Sequence, residues 1–566
     1  MKLLQGLNLE SETSILKTNI GDNREELIKL LELINNFHPI FLEDYLIENN
    51  TLTIVSVLTG VWMNSLDKLE KLSRSEITYD EAKDYIVEEV IKQRVKSMST
   101  IPLLAAAHRL GYDITLTTLN EKLAGDYDKG YLSIWNRYYT IGSGKGSQVI
   151  ASVSSSKDSI FAKNLQRDKW TTNQMITRLA LPVAKWDILD DENELESLWD
   201  SYKKPVVIKP TGLTGGHGVV VGIKTKEEAI KAYRSAKKIV KEKIRQPWQE
   251  KIMIQEQIQG DENGSDYRLL VINGKLRIAT KRIPAFVVGN GKSTIKEIIE
   301  EMNRDPRRDI YNPAHILKPI EIDEPLMDFL NEQGLDLETI LQKDEKIYVR
   351  KVSSMSRGGV TQDFTDKVSP EIKYLVETIA SSIHAFTIGA DIMCKDISKP
   401  LTKENGGILE VNTMPEAYLN FYPTIGESRE DVAEEFIQEL LQDCHTKKIV
   451  YVGYSIDDPL TVLRKKRIIK NGETTGEYKD GNLSINSLLM NTDLTRWKAT
   501  EALKVNASLD NIILHYRDWE QVKENGLGFD RIDYIFISRE NRSNRDYMKI
   551  IKKYKRKGYI KKIKIF

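Results

Sequence analysis

Residues suited to binding phosphates and a divalent metal are concentrated between Lys209 and Asn412. A glycine-rich run, TGLTGGHG, follows Lys209 and contains Gly215, Gly216, His217 and Gly218. Glycine lets a backbone loop approach phosphates without Cβ interference, and a lysine beside the loop offsets their charge. Oxygen ligands of the kind that Mg²⁺ prefers come at the far end: Asp391, Glu410 and Asn412. We therefore interpret this stretch as a site that holds ATP and a divalent metal against a carboxylate.

The glycine-rich run lies between two predicted strands, VVIKP and VVVG. Because no helix follows directly, the segment is neither a P-loop nor a dinucleotide-binding turn, and it predicts a β-hairpin whose tip folds over phosphates. A hairpin with a mobile tip and no ligand fits the same pattern. Further on, the strand in MIQEQIQG carries Glu256 and Ile258, where an adenine could pair with backbone groups and an acid could hold the ribose.

A second hairpin is predicted from Asp266 to Arg282, DYRLLVINGKLRIATKR. Its Asn273-Gly274 pair is the most favoured sequence for a type I′ turn. Arg268 on one strand and Arg282 at the end of the other are then available to an anionic substrate or to a developing phosphoryl charge. Exposed strand arginines without a ligand fit equally well.

Composition limits the class of protein. The 566 residues, 40% of them hydrophobic, have room for three or four domains with sizeable cores. Lys+Arg and Asp+Glu both number 83, so no overall field attracts nucleic acid or an anionic membrane. Two cysteines, Cys394 and Cys444, exclude a disulfide framework and fit a reducing cytosol. The N-terminus lacks a signal-peptide pattern and residues 51–63 are too short an apolar run to span a bilayer, so we expect a cytoplasmic protein without a membrane partner.

Residues 1 to 150 predict a small α/β domain. Apolar residues have helical spacing over 25–34 and 79–96, and residues 52–58 are typical of a strand. His108 follows an apolar helical stretch and is interpreted as a packed or solvated histidine. The run YTIGSGKG fails the P-loop spacing because Gly146 follows Lys145, so it predicts a flexible loop, with a grip on an acidic substrate as the alternative.

From residue 282 the sequence resembles a known family. RIPAFVVGNGKSTIKEIIEEMNRDPRR (282–308) is similar to a run in the ATP-grasp module of cyanophycin synthetases. The likeness continues through MSRGGVTQDFTDKVSPE (355–371) and GADIMCKDI to TIGESR (389–429), and DKWTT and GSGKGSQ match upstream. The motifs come in the family's order and cover most of 140–445.

The resemblance implies an α/β (α+β) architecture of three parts. It consists of an N-terminal acceptor- or peptide-binding domain over 1–150, an ATP-grasp ligase domain over 151–445, and a truncated Mur-ligase-like domain without a P-loop over 446–566. In such a ligase ATP phosphorylates a carboxylate, and an amine then attacks the acyl phosphate to form an amide and release phosphate. Catalysis needs no side-chain nucleophile and depends on positioning and on charge stabilisation by Mg²⁺, lysine and arginine.

The resemblance also assigns roles to individual residues. The set comprises Lys169 and Lys209 as ATP-contacting lysines; Gly215, Gly216, His217 and Gly218 as the loop over the phosphates; Glu256 and Ile258 as the adenine-binding linker; Asp391, Glu410 and Asn412 as metal ligands; Arg268 and Arg282 near the phosphates and the acceptor carboxylate; and Ser356, Gly358 and Gly359 as part of the acyl-phosphate and amine site. The sequence departs from the family at Ser354, Glu416 and Asn420, where asparagine, glycine and histidine are usual. Because these positions lie where the amine or peptide would bind, the departures bear on the choice of substrate rather than on the reaction type.

The C-terminal part resembles the family's Mur-like module without its ATP site. Residues 447–463 begin as the family's strand does but contain no G-K-T, and Tyr516 stands where the family has a metal-binding acid. ENGLGFDRIDYIFIS (524–538) keeps the likeness. We therefore expect a catalytically inactive remnant that packs or oligomerises, and a homo-oligomer. The basic end, IIKKYKRKGYIKKIKIF, is typical of a solvated helix and strand, with an anchor for an acidic peptide or RNA as the alternative.

The leading hypothesis is an ATP-dependent ligase with one active site that joins an amino acid to a carboxylate of a peptide or amino acid. One alternative is a non-catalytic scaffold that binds peptide or nucleotide, although the intact metal-ligand set argues against it. Another is a ligase that takes its amine from aminoacyl-tRNA through the basic end, while binding to other nucleic acid is not expected.

Overall fold

The computed structural model describes residues 2–10, 15–96, 98–116, 138–165, 168–213, 217–243, 250–258, 266–413, 415–453 and 468–566. The chain forms two compact units. The first combines Met1–Ser152 with Ala433–Phe566, and the second is Val153–Val432. Among the described residues, no helix combines the length and apolar character needed to cross a membrane.

The N-terminal part of the first unit contains an antiparallel sheet and a group of helices. Its elements are β1 (Lys2–Leu4), β2 (Ile15–Asn19), α1 (Arg24–Asn35), β3 (Asp44–Glu48), β4 (Thr51–Val55), α2 (Thr59–Ser73), α3 (Tyr79–Lys96), α4 (Ile101–Arg109), β5 (Ile114–Leu116), β6 (Tyr139–Ile141) and β7 (Gln148–Ala151). The first four strands have the order β1-β2-β4-β3. Helix α1 buries Leu27, Leu30, Leu31 and Ile34, the stripe that its helical spacing predicted.

In its described residues, the second unit contains a four-stranded, a five-stranded and a two-stranded antiparallel sheet, with helices between their strands. Its elements are β8 (Ser154–Ser155), α5 (Ile160–Leu165), α6 (Lys169–Arg178), β9 (Trp186–Leu189), α7 (Glu192–Leu198), β10 (Val206–Pro210), β11 (Val220–Ile223), α8 (Lys226–Lys243), β12 (Ile252–Glu256), β13 (Asp266–Ile272), β14 (Lys275–Ile283), β15 (Phe286–Val288), α9 (Ile295–Asn303), α10 (Glu324–Glu332), β16 (Lys346–Tyr348), β17 (Val360–Asp363), α11 (Pro370–Ser382), β18 (Thr387–Cys394), β19 (Gly406–Asn412) and α12 (Tyr418–Phe421), with 3₁₀ turns at Trp199–Ser201, Pro306–Arg308, Met355–Arg357 and Thr365–Lys367.

The four-stranded sheet has the order β11-β10-β12-β9, and the five-stranded sheet has the order β17-β14-β13-β18-β19. Both predicted hairpins are confirmed, because β10 pairs with β11 and β13 pairs with β14. Asn273 and Gly274 have φ values of 47° and 71°, as a type I′ turn requires. Helix α11 packs on the five-stranded sheet through Ile372, Val376 and Ile379.

The C-terminal part completes the first unit with a seven-stranded sheet. Its elements are α13 (Glu430–Leu440), β20 (Lys447–Val452), β21 (Thr475–Lys479), β22 (Asn482–Ile485), β23 (Leu488–Asn491), α14 (Arg496–Val505), β24 (Asn511–Tyr516), α15 (Trp519–Asn525), β25 (Ile532–Ile537), α16 (Arg539–Arg542), α17 (Arg545–Arg556) and β26 (Ile560–Ile565). The strand order is β23-β22-β21-β24-β20-β25-β26, with parallel pairing from β21 to β26. The α/β class predicted from the sequence is confirmed.

The two ends of the chain share one hydrophobic core. Leu7 and Leu9, which follow β1, belong to the same buried cluster as Val450 in β20 and Phe529 before β25. The Leu7 amide also donates to the Phe529 carbonyl at 3.1 Å. The first and last segments of the chain therefore form a single folding unit.

Candidate active site

A row of charged side chains crosses the five-stranded sheet. Arg268 in β13 lies opposite Asp391 in β18, and Asp391 lies opposite Glu410 in β19. Opposed residues in neighbouring strands point to the same face of a sheet, so these three side chains share one face. Asn412 lies opposite Gly389, two residues before Asp391, and therefore shares that face. The structure thus brings the three predicted metal ligands together.

Asp391 is held by both predicted phosphate-binding arginines. Arg268 donates to its two carboxylate oxygens, with Nη2 3.0 Å from Oδ2, and Arg282 Nη2 lies 3.1 Å from Oδ2. Burial alone would raise the pKa of Asp391, but the two guanidinium groups outweigh burial and hold its pKa below the usual range. The sequence predicts that both arginines are available to an anion, whereas the structure gives each of them a carboxylate partner.

Asp266 is a member of this cluster that sequence reasoning missed. It lies opposite Arg282 across the β13–β14 hairpin and accepts a hydrogen bond from Arg282 Nη2 at 2.5 Å. Burial, helped by the neighbouring Asp391 charge, raises the pKa of Asp266 despite the pairing with Arg282. The hairpin pattern was the signal that could have located Asp266, provided that its register had been known.

Two lysines approach the row from other elements. Asp168 caps α6 by accepting from the Trp170 amide at 3.1 Å, and this cap fixes Lys169 at the first position of the helix. Lys169 Nζ donates to the Leu213 carbonyl at 2.5 Å and lies 3.9 Å from Glu410 Oε2. Lys169 therefore faces both the glycine-rich hairpin and the predicted metal ligand Glu410.

Lys209 is a buried cation in β10. Its Nζ donates to Gln255 Oε1 at 2.7 Å. Burial, together with the nearby Lys169 ammonium, lowers the pKa of Lys209 to about 8, and the Glu410 charge opposes this only in part. Within the described part of the chain, the buried atoms Gln255 Nε2 and Thr211 Oγ1 have no hydrogen-bond partner. A charged phosphate and further polar groups of a nucleotide would satisfy such a set.

The predicted adenine linker begins at the last residue of β12, Glu256. Glu256 accepts a hydrogen bond from the Lys203 amide at 3.0 Å, and its own amide donates to the Lys185 carbonyl at 2.9 Å. Ile258 packs on β19, since a Cβ placed on Gly407 would lie 2.9 Å from Ile258 Cδ1. The linker therefore lies against the strand that carries Glu410.

The glycine-rich hairpin is described only in part. Gly215 and Gly216 lie outside the described residues. His217 is exposed, and Gly218 has a φ of 73° with Pro210 so near that a Cβ would lie 2.9 Å from Pro210 Cγ. The segment after the loop therefore turns back onto the end of the strand that carries Lys209.

Ser356, Gly358 and Gly359 form a loop directly before β17. Gly358 adopts a φ of 87°, and Ser356 Oγ lies 3.0 Å from Ser354 Oγ. Strand β17 pairs with β14 so that Thr361 lies opposite Arg282. The loop is therefore attached to the strand neighbouring the arginine cluster.

The other positions that depart from the family lie beside the same sheet. Asn420 Nδ2 donates to Thr280 Oγ1 at 2.8 Å, and Thr280 lies opposite Arg268. Glu416 is exposed and accepts from the Tyr418 amide at 3.1 Å. Gly389 is closely approached, since a Cβ there would lie 2.6 Å from Pro415 Cβ and 2.8 Å from Arg268 Cδ.

The donor set fits Mg²⁺ bound together with phosphates. No three His, Cys, Asp or Glu side chains within the described ranges are grouped as a metal site of their own. Asp391, Glu410 and the amide Asn412 instead supply few oxygens on one face, as expected for Mg²⁺, which keeps several waters and takes substrate phosphate oxygens as further ligands. These three residues would hold the ion.

Two further sequence features, the GSGKG run and Tyr516, lie in the first unit. Lys145 Nζ pairs with Asp510 at 2.9 Å, which favours the loop interpretation of GSGKG over a grip on a substrate. Tyr516 is buried, and the Arg496 guanidinium lies 4.1 Å from the centre of its ring. Burial raises the pKa of Tyr516 to about 12, so the phenol stays neutral at physiological pH. Tyr516 and Arg496 therefore form a cation–π pair.

Part of this chain is similar in sequence to known proteins. Residues 167–272 match the family described as phosphoribosylglycinamide synthetase, ATP-grasp (A) domain. A cyanophycin synthetase of Synechocystis sp. is 36% identical over 287 residues, which are 50% of this chain and 32% of that protein. A cyanophycin synthetase of Geminocystis herdmanii is 33% identical over 55% of this chain and 34% of its own length.

A glutathione biosynthesis bifunctional protein of Clostridium perfringens is 33% identical over 50% of this chain and 35% of its own length. A solved bifunctional glutathione synthetase from Pasteurella multocida has 22% identity and a TM-score of 0.46 over 64% of this chain and 47% of that chain. The chain spans about a third of the length of the curated relatives it matches. The predicted resemblance to cyanophycin synthetases is confirmed, and the ATP-grasp match contains Lys169, Lys209, Glu256 and Arg268.

Proposed function

We propose that this chain is an ATP-dependent ligase that activates a substrate carboxylate as an acyl phosphate and joins an amino-acid amine to it. The observation that carries the proposal is that Lys169 Nζ lies 3.9 Å from Glu410 Oε2, with Asp391 on the neighbouring strand and the buried Lys209 close enough for its pKa to respond to both Lys169 and Glu410. These residues come from a helix and from two different sheets. Side chains that meet in this way supply both signs of charge that a metal–triphosphate requires.

Each part of the cluster has a distinct task. Lys169 and Lys209 bind phosphate oxygens, and loss of the Lys209 proton above pH 8 opposes that binding. Arg268 and Arg282 fix the Asp391 carboxylate and stabilise negative charge on the phosphoryl group as it moves to the substrate carboxylate. Bound ATP with Mg²⁺ would supply the phosphoryl group and neutralise its charge. The loop of Ser356, Gly358 and Gly359 then receives the amine beside Arg282.

The substrates follow from the reaction class. The acceptor is an amino acid or a peptide with a free carboxylate, and the donor is a free amino acid. Cyanophycin synthetase similarity and the departures at Ser354, Glu416 and Asn420 support an amino-acid ligase with its own substrate choice. The resemblance puts Tyr516 where the family's Mur-like module has a metal-binding acid, and residues 447–463 contain no G-K-T. Both points support one working ligase site and one type of amide bond. The protein acts as a homo-oligomer in the cytosol.

The test is a phosphate-release screen with ATP, Mg²⁺, single amino acids and short peptides as acceptors and amines. We expect release to require an acceptor and an amine together, and mass spectrometry to find one amide type. Glu410→Gln should lower amine-dependent release at least 100-fold, whereas the matched change Glu404→Gln, on the exposed turn before β19, should leave it within twofold. Release unaffected by Glu410→Gln would favour a scaffold, and sensitivity of release to ribonuclease would favour an aminoacyl-tRNA donor.

A further inference from the structure

Helix α9 ends in a residue that fixes the backbone of a distant segment. Asn303 Nδ2 donates to the Ile320 carbonyl at 2.9 Å, and the Ile320 amide donates to Asn303 Oδ1 at 2.8 Å. One side-chain amide therefore binds both backbone groups of Ile320, much as a neighbouring strand would. Ile320 itself is buried. The segment around Ile320 has little freedom to shift while Asn303 is in place.

Ile320 in turn supports Gly358. A Cβ placed on Gly358 would lie 2.5 Å from Ile320 Cγ1 and 3.0 Å from Ile320 Cα, so the glycine rests directly on this residue. Its φ of 87° lies in the left-handed region that favours glycine. Arg308, a few residues after Asn303, is buried and donates from Nη1 to the Gly358 carbonyl at 3.3 Å and to the Lys318 carbonyl. Gly358 is thus held by packing and by a hydrogen bond.

The contacts continue from Gly358 to the charged row. Gly359 is followed by β17, where Val360 lies opposite Ile283 and Thr361 lies opposite Arg282. Arg282 contacts Asp391 and Asp266. A continuous set of contacts therefore runs from Asn303 through Ile320 and Gly358 to the arginine cluster.

We propose that Asn303 is a positioning residue that holds the Ser354–Gly359 loop in the conformation that receives the amine. The proposal rests on the proposed ligase function and names a determinant of its second substrate. It gives a physical role to the run GNGKSTIKEIIEEMNRDPRR. We expect ATP binding, which depends on Lys169, Lys209 and Glu410 on other elements, to change little when Asn303 is replaced.

The test compares Asn303→Ala and the isosteric Asn303→Asp with Asn290→Ala. Asn290 is a matched control because its side chain makes comparable local hydrogen bonds, to the Lys292 and Ser293 amides at 2.9 Å and 2.8 Å, before the start of α9. Amine-dependent phosphate release and hydrogen exchange are measured on each full-length variant. For both Asn303 variants we expect kcat/KM for the amine to fall at least tenfold and KM for ATP to stay within twofold. Exchange in peptides covering 353–359 should quicken, while 266–283 stays unchanged.

A merely structural role would give a different pattern. If KM for ATP rises in parallel with KM for the amine, or if the Asn303 and Asn290 variants behave alike, the positioning role is wrong. Unaltered exchange over 353–359 in Asn303→Ala would also overturn it. Absence of amine-dependent phosphate release in the unchanged protein would instead refute the proposed ligase function, and the exchange measurement would still decide whether Asn303 holds the loop.

Discussion

Asp113 joins the two ends of the chain through a buried charge cluster, and the change Asp113→Asn should destabilise the first unit. The Asp113 side chain is fully buried, with Oδ2 accepting from Lys448 Nζ and Ser143 Oγ, both at 2.7 Å. Oδ1 accepts from the Asp530 amide at 2.9 Å and lies 3.7 Å from Lys504 Nζ. An asparagine at this position would keep the shape of the side chain, but it would leave the two lysines without this negative partner.

The size of the effect follows from burial. Removing one partner of a buried ion pair costs about 3–5 kcal/mol because the other charge stays desolvated. Burial and the Asp113 charge raise the pKa of Asp530, so Asp530 ionises more readily once position 113 is neutral and compensates the lysines in part. We therefore expect about 3 kcal/mol, a factor of about 100 in the folded-to-unfolded ratio. As a control, Asp67→Asn breaks the exposed pair with Lys71 and should cost at most about 0.5 kcal/mol.

The assay is urea unfolding, with hydrogen exchange over β24 as a probe that belongs to the first unit. The lysines outweigh the effect of burial and lower the pKa of Asp113 in the folded protein. The stabilisation is therefore present above the unfolded pKa of about 3.9 and is lost as the pH falls towards the folded value. The difference between the unchanged protein and Asp113→Asn should shrink in the same pH range. A loss below about 1 kcal/mol at pH 7, or one equal to that of Asp67→Asn, would refute the reasoning.

Three further outcomes concern the second unit. Since the pKa of Lys209 is about 8, kcat/KM for ATP should fall as the pH rises through 8. Calorimetry in buffers of different ionisation enthalpy should also detect proton uptake on ATP binding above that pH. Asp391→Asn should lower phosphate release at least 100-fold, because it removes a proposed metal ligand, takes the carboxylate partner from Arg268 and leaves Arg282 paired with Asp266 alone. Activity within tenfold of the unchanged enzyme would contradict this role. Gly389→Ala should abolish activity, because the added Cβ would collide with Pro415. Gly334 is the control: its φ is 70° and nothing lies within 4 Å of an added Cβ, so Gly334→Ala should cost only about 1–2 kcal/mol of stability and no specific activity.

Local sequence patterns predicted many helices and turns of this fold, because these elements depend mainly on residues that are near one another in the chain. The stripe of α1 and the Asn273-Gly274 turn follow from spacing and from turn preference, and both are present. The joining of the two chain ends could not be predicted in the same way. Leu7 packs in the cluster of Phe529, more than 500 residues later, and no periodicity in either segment indicates that contact. The charge pattern does not indicate that contact either, because nothing in the sequence distinguishes Asp113 from other acidic residues. Only the fold places Lys448 and Lys504 beside it.

A β-bulge explains why the sequence predicted which residues belong to the candidate site but not which of them pair with one another. A two-residue turn at Asn273-Gly274 pairs Ile272 with Lys275 and, without a bulge, would place Asp266 opposite Lys281. The register shifts between Leu270 and Val271, so Asp266 lies opposite Arg282 instead. Because side chains alternate between faces, this single extra residue moves Arg282 onto the face of Arg268 and Asp391. No residue type in LLVINGKLRIA marks the shift. The ion-pair cluster, and with it the shape of the site around the phosphoryl group, therefore depends on a backbone irregularity that the motif itself does not reveal.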